Sequence, residues 1–520
     1  MRSQVGKWHL GMVSEAYLPQ SRGFDRFFGY YNGVQDYWGH FNDEAFGVWG
    51  ASLHRDDTPV YTSTGTYSSE LFLSAAKGYI ADFAKNASAA TSAELRAASG
   101  SKGWSHRTTR PLFMYFALQS IHSANNKYLQ APQAALDAYG AISPTFCGPY
   151  DLPDSAPGQG AGPRCAVPKV RRRTVAAMVS ALDDAVGGLR GALEDHGLWN
   201  DTLLVFTTDN GGPVDGFNAN EASNWPLRGG KANYFEGGVR GVGLVHGARL
   251  SHLAGTAFGG LFSCVDWLPT LLSFAASAVA EGAAPAVGGA SGRSAAFDLQ
   301  AAFAESGDPP WLAGDGVDLW GALSAGKASP RSELLLAAQA PGSPLNHHAL
   351  IVGKHKLLIE DQFYPAFGFC EDQGSSVFSP RCGWYEPPGD DWNASAHGPW
   401  SKPHNLTVKC PAPPKTVADW CRSARPCLFD LDADPCEMDN IAESQPLLLQ
   451  YMRARLAWYA NSSVLPHYLE RTNITNNDPR ASPANFNYSW MPWVGEDEPL
   501  LDPNALVEGV HAVVGASATQ

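Results

Sequence analysis

The strongest constraint on the fold of this chain is a pair of short apolar runs, Leu112–Leu118 (LFMYFAL) and Thr202–Thr208 (TLLVFTT). Neither alternates with polar residues, so each reads as a strand buried on both faces. Between them Val175, Met178, Val179, Leu182, Val186, Leu189 and Leu193 recur at spacings of three and four, which predicts one face of a helix. Gly197 stands where a C-cap would end it. A strand, a helix and a second strand in that order predict a parallel sheet with right-handed crossovers, and so an α/β fold. Asp266–Ala280 predicts a further helix, with Pro269 tolerated in its first turn.

At 520 residues the chain exceeds the roughly 250–300 at which a single core stops growing, so a second unit is expected. Residues 279–314 are rich in Ala, Gly, Ser and Pro, the composition of a surface insertion without catalytic content. Beyond them Ala349–Val352 and Lys356–Ile359, separated by Gly353-Lys354-His355, predict a β-hairpin. Leu447–Tyr459 has helical spacing. The expected division is therefore residues 1–345 and a smaller α+β region over residues 346–520.

A formal net charge of −14 argues against a nucleic-acid partner and leaves any anion site to a local cluster of Lys, Arg and His. Six of the nine cysteines (Cys370, Cys382, Cys410, Cys421, Cys427 and Cys436) lie late in the chain without paired zinc-binding spacing. Seven N-x-[S/T] sequons, at Asn86, Asn200, Asn393, Asn405, Asn461, Asn473 and Asn487, accompany them. Clustered cysteines and sequons together predict a disulfide-stapled glycoprotein, secreted or lysosomal. No apolar run approaches the roughly 20 residues of a membrane span, and Met1-Arg-Ser-Gln-Val is not a signal peptide. The expectation is that the N-terminal part of the protein, with its export signal, is missing from this sequence.

Four segments carry candidate chemistry. In Gly6-Lys7-Trp8-His9-Leu10-Gly11, Lys7 and His9 are two apart, so in an extended segment they face the same way and can bind an anion and exchange a proton. The alternative is a terminal strand with solvated ends. His122 follows the first apolar run and Asp209-Asn210 follows the second, both at the carboxyl ends of strands, where ligands bind in open α/β sheets. Asp beside Asn offers hard oxygens suited to Ca²⁺ or Mg²⁺. Standing alone, His122 is a hydrogen-bonded loop histidine and Asp209-Asn210-Gly211-Gly212 a plain turn. Finally, Asn224–Lys231 (NWPLRGGK) and Phe235–Gly241 (FEGGVRG) form a glycine-rich loop before the expected strand Val242–Val245. Its backbone amides can approach an anion and Lys231 adds a charge, while the spacing matches neither common nucleotide-binding glycine pattern.

With these residues assembled, the chain resembles the type I sulfatases. GKWHLG, ALQSIH, TTDNGG, NWPLRGGK with FEGGVRGVG, DWLPTLL and LFDLDADPCEMDNIA (Leu428–Ala442) match that family's blocks in order. HLGMVSEAYLPQSRGFDRFFGYYNGVQDYWGH and Asp478-Pro479-Arg480 are similar to the arylsulfatase B, I and J branch. The resemblance implies an alkaline-phosphatase-like α/β/α sandwich with a smaller C-terminal antiparallel domain. It implies a sulfuric ester hydrolase acting on sulfated carbohydrates or aryl sulfates through one Ca²⁺ and a formylglycine nucleophile. Such a nucleophile is made from the Cys of a C-x-P-S-R motif by the formylglycine-generating enzyme. By matching motif, Lys7 and His9 would contact sulfate and the nucleophile, and His122 would hold sulfate and protonate the leaving group. Asp209 and Asn210 would ligate the calcium, and Lys231 would bridge sulfate and nucleophile.

The sequence departs from that pattern in one place. In the family, paired Asp ligands on the first strand and then C-x-P-S-R precede GKWHLG, which here begins at residue 6. Cys421-Arg422-Ser423-Ala424-Arg425 has Ser where Pro or Ala belongs and reads as a disulfide loop, and Asp56-Asp57 follows no apolar strand. The chain as written is therefore expected to lack turnover. The missing strand, normally central, would leave its neighbours with unpaired backbone groups. The alternatives are a non-catalytic pseudo-sulfatase that binds sulfated glycans and, more distantly, a phosphoesterase of the same superfold.

Overall fold

The computed structural model describes residues 1–45, 48–97, 111–124, 129–139, 169–213, 222, 224, 226–231, 233–282, 315–339, 347–359, 421, 423–463 and 482–493. Residues 283–314 of the expected insertion, Cys370, Cys382, Cys410, the sequons at Asn393, Asn405 and Asn473, and Asp478-Pro479-Arg480 lie outside them.

The first part of the chain supplies β1 (Arg2–Lys7), β2 (Arg26–Tyr30), β3 (Phe41–Ala45), β4 (Val48–Ala51), β5 (Leu53–Arg55), β6 (Thr58–Pro59) and helix α1 (Ser68–Ala97). Then follow β7 (Phe113–Ala117), α2 (Gln133–Ala138), α3 (Lys169–Asp195), β8 (Leu204–Thr207), α4 (Glu236–Val239), β9 (Gly243–His246) and α5 (Trp267–Gly282). A five-stranded sheet runs in the order β6-β5-β2-β1-β7. It is parallel across β2, β1 and β7 and antiparallel at β5 and β6, so it is mixed rather than all parallel. Helices α1 and α3 cover one face, where Val5, Phe28, Tyr30 and Leu53 pack with Phe72, Ala76, Met114, Phe116 and Leu189. On the other side Trp8, Met12, Leu18, Phe27 and Tyr31 close around Trp490 from the far end of the chain. There Trp490 N–H donates to the Ala51 carbonyl at 3.0 Å, and its indole donates to the Asn42 carbonyl at 3.2 Å.

The structure differs from the sequence pattern in three places. The run Leu112–Leu118 does form a strand, β7, over its middle, but only its even-numbered residues, Leu112, Met114, Phe116 and Leu118, pack toward the helices. Phe113 and Tyr115 alternate onto the other face and stay 49% exposed each. The second run, β8, pairs antiparallel with β9 and with no other described strand, instead of lying parallel to β7. In α3, Val179 is exposed, and the buried stripe runs through Val175, Ala177, Met178, Ala181, Ala185, Ala192 and Leu193. Alanines let α3 approach α1 closely, so small residues displace the larger one from the contact. Gly197 does end the helix, at φ +68°, with Leu198 N–H reaching back to the Leu193 carbonyl at 2.8 Å.

The remaining elements are α6 (Trp320–Ala325), β10 (Glu333–Ala338), β11 (His348–Val352), β12 (His355–Ile359), β13 (Cys427–Asp430) and α7 (Pro446–Ser462). Strands β10-β11-β12-β13 make an antiparallel sheet, and α7 buries Met452 and Leu456 against Leu350, Leu357 and Leu428. Its first strand precedes residue 346. The expected hairpin is β11–β12, turning at Gly353 with φ +56°. Asp266 precedes α5 in a capping box with Ser263, and its fully buried carboxylate also takes both nitrogens of the Arg331 fork. Cys421 and Cys427 are disulfide-bonded, which closes the loop expected there, and Asp56 sits in the turn between β5 and β6. No helix among the described residues is long and apolar enough to cross a membrane.

Candidate active site

The site starts where β1 ends. Gly6 has φ +100°, and a side chain there would overlap the Ala117 carbonyl of β7, so the two strands meet at a distance only glycine allows. Lys7 is the last residue of β1, level with Tyr30 of β2. The pairing continues past it: Trp8 N–H donates to the Tyr30 carbonyl at 2.9 Å and His9 N–H to the Tyr31 carbonyl at 3.0 Å. His9 then turns to φ +52°. A non-glycine residue in that region costs about 1–2 kcal/mol, a strain that clusters at functional sites. The extended alternation expected to align Lys7 with His9 thus stops at His9 itself.

His122 lies just beyond β7. Its N–H donates to the Gln119 carbonyl at 2.9 Å, and its own carbonyl accepts the Tyr37 hydroxyl at 2.7 Å. Nδ1 is 2.9 Å from the Ser123 carbonyl, which can only accept, so the neutral ring carries its proton on Nδ1. Nε2 is left with its lone pair 3.3 Å from Lys231 Nζ. Burial pulls the His122 pKa down to about 4, against the bond to Ser123, with the charges of Lys231 and Lys7 adding to the shift. His9 is lowered as well, first by burial and then by Lys7 and Lys231, with Asp209 opposing.

Lys231 reaches this point through a folded glycine-rich loop. Its N–H donates to the Gly212 carbonyl at 3.3 Å, and the Asn224 side chain bonds to both Gly212 backbone groups and to the Gly229 carbonyl, at 2.8–3.0 Å. Gly211 lies against the Gly237 carbonyl so closely that a side chain would overlap it. Burial lowers the Lys231 pKa and the nearby Asp209 carboxylate raises it. Burial, and after it the Asp209 charge, raises the Tyr115 phenol on β7, so the residue just past β8 lies within electrostatic reach of β7 although no ladder joins these two strands.

Lys7, His9, His122, Asp209 and Lys231 are thus within electrostatic reach of one another, and Asn210 adjoins them. Asn210 N–H is bound to the Asp209 side chain at 2.9 Å, and its amide donates to the Gly211 carbonyl. A Ca²⁺ takes six to eight oxygens. Asp209 and Asn210 are the right kind of donor but too few, and no group of three or more His, Cys, Asp or Glu among the described residues is placed to hold a metal. By themselves the described residues do not make that calcium site. Tyr37 and Asn224 carry no signal of their own in the sequence: Tyr37 lies 85 residues from His122 without a spacing pattern, and Asn224 stands out only as part of its motif.

The Sulfatase family profile matches residues 2–277, more than half of the 520. Mouse arylsulfatase J is 27% identical over 499 residues, 95% of this chain and 64% of that protein. Bovine arylsulfatase A is 28% identical over 276 residues, 52% of this chain and 40% of that protein. The chain therefore spans less than two thirds of the length of these relatives. The crystal structure of Ps i-CgsB superposes with a TM-score of 0.52 at 19% identity, covering 89% of this chain and 73% of that one. The same protein in complex with k-i-k-neocarrahexaose gives 0.51. At that identity the likeness is one of fold, the alkaline-phosphatase-like α/β arrangement with a separate antiparallel sheet. On the family match together with that architecture, this chain belongs to the sulfatase family.

Proposed function

We propose that this chain carries the sulfate-binding and proton-handling part of a sulfuric ester hydrolase site of the arylsulfatase B kind, directed at sulfated sugars. The observation that supports it is the Lys231 Nζ–His122 Nε2 contact at 3.3 Å, with Lys7 and His9 acting on the same place. Burial, and after it two neighbouring amines, disfavour protonation of the two imidazoles; a bound tetrahedral anion attracts all four groups and favours it. Lys7 and Lys231 hold the sulfate oxygens. His122, once protonated, donates from Nε2 to the leaving alcohol oxygen, and His9 exchanges a proton on the other side.

The reading belongs to the formylglycine-and-calcium class, with Asp209 and Asn210 as the metal-directed oxygens this chain supplies. No C-x-P-S-R run occurs in the 520 residues. A protein of this class would meet the formylglycine-generating enzyme on its way to a secreted or lysosomal destination.

Calorimetric titration with 4-sulfated and unsulfated N-acetylgalactosamine tests this. Binding should require the sulfate, and Lys231→Ala should weaken it by about 10- to 100-fold, the loss of one charged hydrogen bond. Equal affinity for the two sugars would overturn the reading. Sulfate-dependent binding with no release of sulfate from an aryl sulfate is the outcome that favours a glycan-binding protein.

A further inference from the structure

Lys356 on β12 is fully buried, although it is charged, and its Nζ lies 2.9 Å from Glu236 Oε1 and 2.9 Å from Glu437 Oε1. Glu437 is also fully buried and sits at φ +54°, a left-handed conformation for a non-glycine residue. It grips the Lys231 loop from both sides. Its Oε2 accepts the Glu236 backbone N–H at 2.6 Å, and its carbonyl accepts Arg228 Nη1 at 2.8 Å. The Arg228 guanidinium lies 4.1 Å over the Phe235 ring, and its carbonyl takes the Gly237 N–H at 2.7 Å. Arg228 is three residues before Lys231 and Glu236 five after, so the two grips bracket the amine. A buried ion cluster is a poor way to obtain stability, since well-packed apolar residues often do as well or better. What charges at fixed distances add is geometric definition, and the loop held here has Gly229 and Gly230 directly before Lys231.

Resting on the reading of Lys231 as a sulfate ligand, we infer that Glu437, backed by Lys356, is a positioning residue: it acts through Arg228 and Glu236 to hold Lys231 opposite His122. The antiparallel-sheet part of the molecule thereby sets the geometry of a site built on the other sheet.

Hydrogen exchange at the Glu236 and Gly237 amides, and acetylation of Lys231 relative to exposed Lys85, are measured without any ligand, so neither depends on the proposed activity. Glu437→Ala should speed exchange at both amides at least tenfold and raise Lys231 labelling. Glu437→Gln keeps an acceptor for the Glu236 N–H and should restore most of the protection. Asp266→Asn, which breaks a buried pair bonded to Ser263, Val317 and Arg331 rather than to the loop, provides the comparison at similar loss of stability and should leave those amides protected. If Glu437→Ala does not fold, Arg228→Met removes the second grip alone and should raise Lys231 labelling. Equal effects of Glu437→Ala and Asp266→Asn, or no change in either readout with Arg228→Met, would overturn the inference. Sugar titration of the same variants is then read separately: failure to bind in the wild type, with the exchange pattern intact, would count against the proposed function alone.

Discussion

His122 is the residue whose chemistry changes most with conditions. With its folded pKa at about 4 against an ordinary 6.5, the ring is neutral in the free protein across the neutral range. The unfolded chain binds more protons between those values, so this group's contribution to stability is present above pH 6.5 and is lost as pH falls toward 4. A bound sulfate raises the pKa, so binding takes up a proton. Affinity for a sulfated sugar should therefore rise as pH falls toward 4 and level off below it, as followed by calorimetry across the acid range. In His122→Gln the dependence should flatten; an unchanged slope would assign the proton to another group. Lys7, His9, His122, Asp209 and Lys231 were legible in the sequence because each stands at the end of an apolar run or in a glycine-rich block. The turn at His9 was not, because φ has no signature in residue type apart from glycine. Glu437 was visible only as one letter of a motif, some 200 residues from the loop it holds.

At the scale of elements, α5 and its entrance depend on one carboxylate. Asp266 accepts from the Ser263 and Val317 backbone N–H groups at 2.7 and 2.8 Å while holding Arg331. Asp266→Asn should leave Arg331 largely buried without its partner and destabilise by about 3–5 kcal/mol. Urea midpoints check this, and a loss below 1 kcal/mol would mean that water or another group replaces the pair. The existence of these elements was readable from period and punctuation: the stripe with Gly197 gave α3, and Gly353 between two apolar runs gave β11–β12. Partners were not readable. An apolar run such as LFMYFAL has the same appearance whether its second face is covered or open, and the pairing of β8 with β9 rather than β7 is settled by neighbours that local pattern cannot name. The buried stripe of α3 keeps Val175, Met178 and Leu193, loses Val179 and gains alanines, because helix contact rewards smallness as well as apolarity.

For the whole molecule the instructive contact is the one that brings Trp490 under the first strands. Trp490→Ala should cost about 3–5 kcal/mol and expose Trp8 and Phe27, seen as a lower urea midpoint and faster exchange of the Ala51 amide, whose acceptor is the neighbouring Tyr488 carbonyl. Unchanged exchange there would show the tail to be dispensable. The contact also spans 448 residues of sequence. At synthesis rates of about 5–20 residues per second, Trp8, Met12, Leu18, Phe27 and Tyr31 emerge from the ribosome roughly 20–90 seconds before the ring that will cover them. During that interval the aromatic face is available to chaperones and to other nascent copies. Crowding of its own translation then bears on the yield of this protein in a cell, an influence the finished structure's stability does not report.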